Sequence, residues 1–166
     1  RRALAILVAL VLAEGTLAAP VVRAADPVVV GAGDIADCSL TADSATARLL
    51  DGIGGTVVTL GDNVYPSGTA AQFGSCYAET WGRHKARTRP APGNHDYQTA
   101  GASGYFGYFG SAAGDPTKGY YSYDLGTWHI VVLDSSCDRV GGCGPESPQG
   151  SWLAADLAAA ASARCT

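Results

Sequence analysis

The chain has 166 residues, 47% of them apolar and 16% charged, which excludes a disordered polypeptide and is enough for one domain with its own core. The formal net charge of −4 argues against a general nucleic-acid binder, because phosphate backbones reward a basic surface. The 22 glycines call for many tight turns and close backbone approaches.

In chain order, the first feature is an export signal over residues 1–24. Arg1-Arg2 is a basic start, Ala3 to Ala13 is an apolar run ended by Glu14, and small residues offer cleavage after Ala18, Ala19 or Ala24. The run is shorter than the roughly 20 residues of a membrane-spanning helix. No stable membrane span is expected, and the domain of residues 25–166 is expected to be secreted or extracytoplasmic.

Val28 to Ala32 reads as a buried strand. Thr41 to Leu50 reads as a helix with Ala42, Ala45 and Leu49 on one face, ended by Gly52, Gly54 and Gly55. Thr56 to Leu60 is a second buried strand, and Ala70 to His84 reads as a helix begun after Pro66-Ser67-Gly68-Thr69. Thr88 to Ala91 is a short third strand, which Pro90 and Pro92 place at an edge or a strand end. Gly101 to Thr117 reads as a loop rich in glycine and aromatic residues. Gly119 to Leu125 alternates as a half-exposed strand does, Gly126-Thr127 turns it into the strand Trp128 to Asp134, and Gln149 to Ala161 is an Ala/Leu helix. Alternating strands and helices followed by a hairpin predict an α/β fold, partly parallel with antiparallel additions. In such sheets ligands gather beyond the carboxyl ends of the strands.

Five cysteines in an exported chain predict disulfides. Cys137 and Cys143 flank a short, closable ring; Cys38 and Cys76 could then pair, leaving Cys165 over. No Cys-x-x-Cys spacing supports a zinc-thiolate site.

Three strand-like runs each end in glycine followed by oxygen or nitrogen donors. Val28 to Val30 leads to Gly33-Asp34, Val57 to Leu60 leads to Gly61-Asp62-Asn63-Val64-Tyr65, and Thr88 to Pro92 leads to Gly93-Asn94-His95-Asp96. Hard cations that act on phosphate take such donors from several strand ends at once. A binuclear centre holds two ions about 3.5–4 Å apart, bridged by a carboxylate, and a water bound there loses its proton near neutral pH. Asp34 and Asp62 are the candidate carboxylates, and Asn94 offers a neutral carbonyl oxygen. Tyr65 follows Asp62 by three residues, so a turn can bring its phenol oxygen to the same ion. A phenolate ligand favours trivalent iron. His95 is suited to stabilising phosphoryl charge or protonating a leaving oxygen.

These blocks resemble those of the calcineurin-like metallophosphoesterase superfamily, and the Gly-Asp-x-x-Tyr form is most similar to its purple acid phosphatase branch. The likeness runs from about Val28 to the chain end, including Gln-x-x-Trp-Leu-x-x-Asp-Leu over Gln149 to Leu157. The resemblance implies the N-terminal half of an α/β/β/α sandwich with mixed sheets, and metal-dependent hydrolysis of phosphate esters. It implies Asp34 on one ion, Asp62 as bridge, Tyr65 on the first ion, Asn94 on the second, and His95 as the catalytic histidine outside the ligand shell. It implies two metal ions, with iron at the Tyr65 site and zinc, manganese or iron at the other.

There are two departures from the family pattern. Asp34-Ile35-Ala36 lacks the histidine or glycine that ends the family's first motif, and the later Val-x-x-His and Gly-His-x-His motifs are missing. His84, in a basic run, and His129, inside a strand, lack the context of either. The expectation is an N-terminal fragment of a larger enzyme, with an incomplete metal site and no activity by itself. The alternatives are a non-catalytic exported domain that binds metal or phosphate, and a phosphodiesterase or nucleotidase.

Other features have blander readings. Gly31-Ala32-Gly33 lacks the third glycine of a dinucleotide loop. Arg83, His84, Lys85, Arg87 and Arg89 form either a solvated face or a device that steers anions. Tyr105, Phe106, Tyr108 and Phe109 read as core rather than pocket wall, and His129 as a packed strand residue rather than a ligand.

Overall fold

A computed structural model describes residues 26–162 and 165–166, so the export signal of residues 1–24 lies outside the described residues. The elements run β1 (Val29–Ala32), β2 (Ala36–Asp37), α1 (Ala42–Asp51), β3 (Thr56–Thr59), β4 (Val64–Tyr65), α2 (Ala70–Gln72), β5 (Thr88–Arg89), α3 (Ser103–Phe109), β6 (Tyr121–Leu125), β7 (Trp128–Val132) and α4 (Pro148–Ala159). The architecture is mixed α/β with small parallel and antiparallel sheets.

Strands β1, β3 and β5 form a parallel sheet in that order, with Val29 opposite Thr56 and Val57 opposite Thr88. Parallel neighbours need a crossover, and α1 supplies the one from β1 to β3. Beyond the carboxyl end of β1 and β3 the two chains stay together: the amides of Asp34 and Ile35 donate to the carbonyls of Gly61 and Asp62 at 3.2 and 3.1 Å. They then pair again as β2 and β4, with Asp37 opposite Tyr65.

Helix α1 buries Asp43, Ala47 and Leu50, while Leu49 is 67% exposed. The face read from Ala42, Ala45 and Leu49 is therefore the outer one. Asp43 can turn inward because its carboxylate accepts from the Thr80 hydroxyl at 2.9 Å and so keeps a partner once buried.

The expected helix from Ala70 to His84 is broken. Thr69 and Gln72 cap α2 reciprocally, a π-helical turn follows over Phe73–Tyr77, and a 3-10 segment runs from Trp81 to Arg87. The break is at Thr80, at φ −113° and ψ −96°, whose hydroxyl oxygen also lies 3.0 Å from the carbonyl oxygen of Cys76. The expected loop from Gly101 to Thr117 is largely helical, with α3 at its centre. Tertiary packing overrode its glycine content: Tyr105 and Phe109 are buried, and Phe109 meets Phe73 and Tyr77 edge-on. Gly104 is needed there, since a Cβ would stand 2.1 Å from the Gly68 carbonyl oxygen. The aromatic run is thus mostly core.

Strands β6 and β7 form the expected antiparallel hairpin, Leu125 opposite Trp128, turned at Gly126 with φ 64°. Ser147 caps α4 by accepting from the Gly150 amide at 3.0 Å, with Pro148 in the first turn. Disulfides join Cys38 to Cys76 and Cys137 to Cys143, and Cys165 is free and exposed.

Candidate metal centre

The three glycine-led blocks come together past the carboxyl ends of the parallel sheet. Asp34 and Asp62 both have left-handed backbones, with φ 54° and 49°. Non-glycine residues seldom adopt this conformation, which clusters at functional sites. Gly93 lies against the Asp62 turn so closely that a Cβ would be 2.2 Å from the Asp62 amide nitrogen and 2.3 Å from Oδ1.

Tyr65 joins the two carboxylates. Its hydroxyl hydrogen-bonds Asp34 Oδ1 and lies 3.1 Å from Asp62 Oδ2. Burial and these two carboxylates push the phenol pKa well above its ordinary value. A single phenolic proton therefore serves two carboxylates, a donor set of three hard oxygens converging on one point. Asp34 is open to solvent, and a cleft of about 230 Å³ lined by Asp34, Asp37, Leu40 and Tyr65 runs beside it.

His95 adjoins the same cluster. Its amide donates to Asp62 Oδ1 at 2.8 Å, and its ring lies against that of Tyr65 with centroids 4.4 Å apart. Nδ1 is 2.7 Å from the Pro66 carbonyl oxygen. A carbonyl can only accept, so Nδ1 carries the proton and Nε2 is left for other chemistry. Asn94 sits between Gly93 and His95, both of which touch Asp62, and its side chain is exposed.

Asn63 and Asp96 belong to the motifs, but their spacing alone assigns them no role. Asp96 is fully buried, and its Oδ2 accepts from the Asn63 amide at 3.2 Å, from Asn63 Nδ2 at 2.9 Å and from the Gly93 amide at 2.9 Å. It ties the second block to the third. Burial raises its pKa against the pull of these hydrogen bonds. The opposite oxygens, Asp96 Oδ1 and Asn63 Oδ1, are buried without a partner among the described residues. The signal in the sequence was adjacency: each of these two residues directly follows a candidate site residue.

Asp34, Asp62 and Tyr65 fit one hard cation by donor chemistry and convergence. Towards a second ion the described residues bring Asp62 and Asn94, and no group of three or more His, Cys, Asp or Glu side chains is gathered among them. The other histidines are engaged elsewhere. His84 Nε2 is 3.1 Å from Asp51, and His129 is held between Asp124 and Asp156 at 2.8 Å each. No family model and no curated protein matches this chain.

Proposed function

We propose that the chain is the N-terminal, metal-binding half of a metallophosphoesterase sandwich domain that hydrolyses phosphate esters. The observation that carries this reading is the Tyr65 phenol between the Asp34 and Asp62 carboxylates, with the His95 ring beside it. Asp34, Asp62 and Tyr65 would hold one ion, and Asp62 with Asn94 would share in a second. Such ions, when bound, supply charge stabilisation at phosphorus and a water of lowered pKa.

The chain's own side chains do the rest. The Pro66 carbonyl fixes the proton on His95 Nδ1, which leaves Nε2 to serve as base or as donor to a leaving oxygen. The His95 amide holds Asp62 Oδ1 in place, and the left-handed backbones at Asp34 and Asp62 aim both carboxylates at the Tyr65 oxygen.

The test is turnover of a phosphate monoester by the full-length protein. His95→Ala should lower kcat by about 10²–10⁴-fold, and Asp62→Ala should abolish turnover; unchanged rates in both would refute the reading. Comparison with a diester substrate separates a monoesterase from a phosphodiesterase. Iron at Tyr65 predicts a visible charge-transfer band, and a colourless protein fully active with zinc or manganese alone would refute iron. The basic, apolar start of the sequence and the two disulfides support export to an oxidising compartment. Among the described residues no helix is long and apolar enough to cross a membrane.

A second reading, a non-catalytic domain that binds metal or phosphate, is favoured by the two carboxylates, Asp34 and Asp62, that the cluster gathers among the described residues. Metal binding without turnover in the full-length protein would establish it.

A further inference from the structure

We propose that the cleft between the 81–87 segment, β5 and β6 binds an organic phosphate carrying a planar ring, at a place separate from the Asp34, Asp62 and Tyr65 cluster. The inference is independent of the phosphoesterase reading. The cleft has a volume of about 840 Å³ and is walled by Lys85, Arg89, Phe109, Tyr121 and Tyr123, with Ser111 at its side. That lies in the range of small-molecule sites and exceeds what one inorganic anion fills.

The five basic residues of this region divide by what they already hold. Arg83 is spent on Asp51, with two contacts of 2.9 Å, and His84 on the same carboxylate. Arg87 donates to the carbonyls of Gly55 and Leu50 at 2.8 Å, and so ties helix α1 down. Lys85 and Arg89 have no carboxylate partner among the described residues. Each instead lies over an aromatic face: Lys85 Nζ is 4.4 Å from the Tyr108 ring centre, and the Arg89 guanidinium is 5.3 Å from that of Tyr123. The rings place these cations without neutralising them.

An independent observation points to an acceptor. The Tyr123 hydroxyl is buried and has no hydrogen-bond partner among the described residues, a costly state for a donor. The neighbouring Tyr121 hydroxyl is already given to the Pro90 carbonyl at 2.8 Å. Two free cations and one orphaned hydroxyl suit a tetrahedral oxyanion. The Tyr121 and Tyr123 rings, stacked at 28°, suit a flat apolar group attached to it.

The experiment is calorimetric titration of the full-length protein with the non-hydrolysable methylene phosphonate analogue of adenosine monophosphate, alongside adenosine and inorganic phosphate. The analogue should bind in the Asp62→Asn protein as well as in the unaltered one, which separates this cleft from the candidate metal centre. Arg89→Ala should weaken it at least about tenfold, the scale of a lost charge-assisted contact, and Arg89→Lys should restore part of that loss. Lys85→Gln, at an exposed position, and Tyr123→Phe, which removes only the hydroxyl, should each weaken it severalfold. Inorganic phosphate should bind more weakly than the analogue, and adenosine more weakly still. Analogue affinity unchanged by Lys85→Gln and Tyr123→Phe overturns the proposal, as does binding lost in Asp62→Asn or adenosine binding as tightly as its phosphonate. Phosphoesterase activity in a protein that fails this titration would leave the catalytic reading standing.

Discussion

The ring of Tyr65 lies against the imidazole of His95, with centroids 4.4 Å apart and planes inclined at 49°. Through this contact one side chain of the second block packs against His95 of the third while its hydroxyl reaches back to Asp34 in the first. Tyr65→Phe keeps the ring packing and removes only the oxygen. It should leave the His95 backbone in place yet weaken metal binding by at least about 10–100-fold, since even indirect supports of a metal site cost that much. Metal titration and turnover measured on the same preparation check it. Affinity equal to that of the unaltered protein would remove Tyr65 from the ligand set.

Gly93 should not accept a side chain. An alanine Cβ there would stand 2.2 Å from the Asp62 amide nitrogen, so the Asp62 turn or the Gly93 segment must move. Gly93→Ala should cost about 1–3 kcal/mol by overpacking and should impair metal binding as well. Gly107→Ala is the control. That position lies inside α3, and nothing stands within 4 Å of its would-be Cβ. Its helix propensity gain, about 0.5–1 kcal/mol, should raise stability slightly. Denaturant unfolding of the two proteins should move in opposite directions.

His129 makes the hairpin and α4 sensitive to pH. Its two ring nitrogens contact Asp124 on β6 and Asp156 on α4, and both can donate only when the ring is charged. Hydrogen bonds to Asp156 and then Asp124 raise its pKa above the ordinary 6.5. This contribution to stability is therefore complete below pH 6.5 and is lost as pH rises through the elevated folded value. Burial works to raise the Asp156 pKa, but the hydrogen bonds from His129 and Ser122 outweigh it and the net shift is downward. That share is present above the unfolded carboxylate value of 3.8 and fades as pH falls through the depressed folded one. Thermal melts across mildly acidic to alkaline pH should show Tm falling on the alkaline side. His129→Gln should flatten that limb, and an unchanged profile in the variant would exclude the clamp.

The two disulfides should differ in worth. Chain entropy assigns about 4 kcal/mol to Cys38–Cys76, which spans 38 residues, and about 2 kcal/mol to Cys137–Cys143, which spans six. The first also ties the loop after β2 to the π-helical turn beneath the aromatic core. Replacing both Cys38 and Cys76 by serine should lower Tm more than replacing Cys137 and Cys143. The reverse order would show that strain or unfolded-state structure dominates.

Strands were legible because their patterns are local. The runs ending at Ala32 and Thr59 and the hairpin turned at Gly126 lie within a residue or two of the sequence reading. The segment from Gly101 to Thr117 was not. Its glycines and aromatics describe a loop until Phe109 meets Phe73 and Tyr77 from more than thirty residues away, with Tyr105 packed on Phe109. The same holds for α1, which turns Ala47 and Leu50 inward together with Asp43, held by the Thr80 hydroxyl, rather than the face of Ala42, Ala45 and Leu49.

The sequence by itself determined which donors stand at the strand ends and that glycine precedes each, because residue type and spacing are properties of a local stretch. It also determined which cysteines were free to close a short ring. Tertiary structure alone decided that Tyr65 meets both Asp34 and Asp62, that Asp96 binds the second block to the third, and that the Pro66 carbonyl sets the proton on His95. Most of these contacts join atoms about thirty residues apart in the chain. Their geometry is set by the parallel register of β1, β3 and β5, which no local pattern encodes.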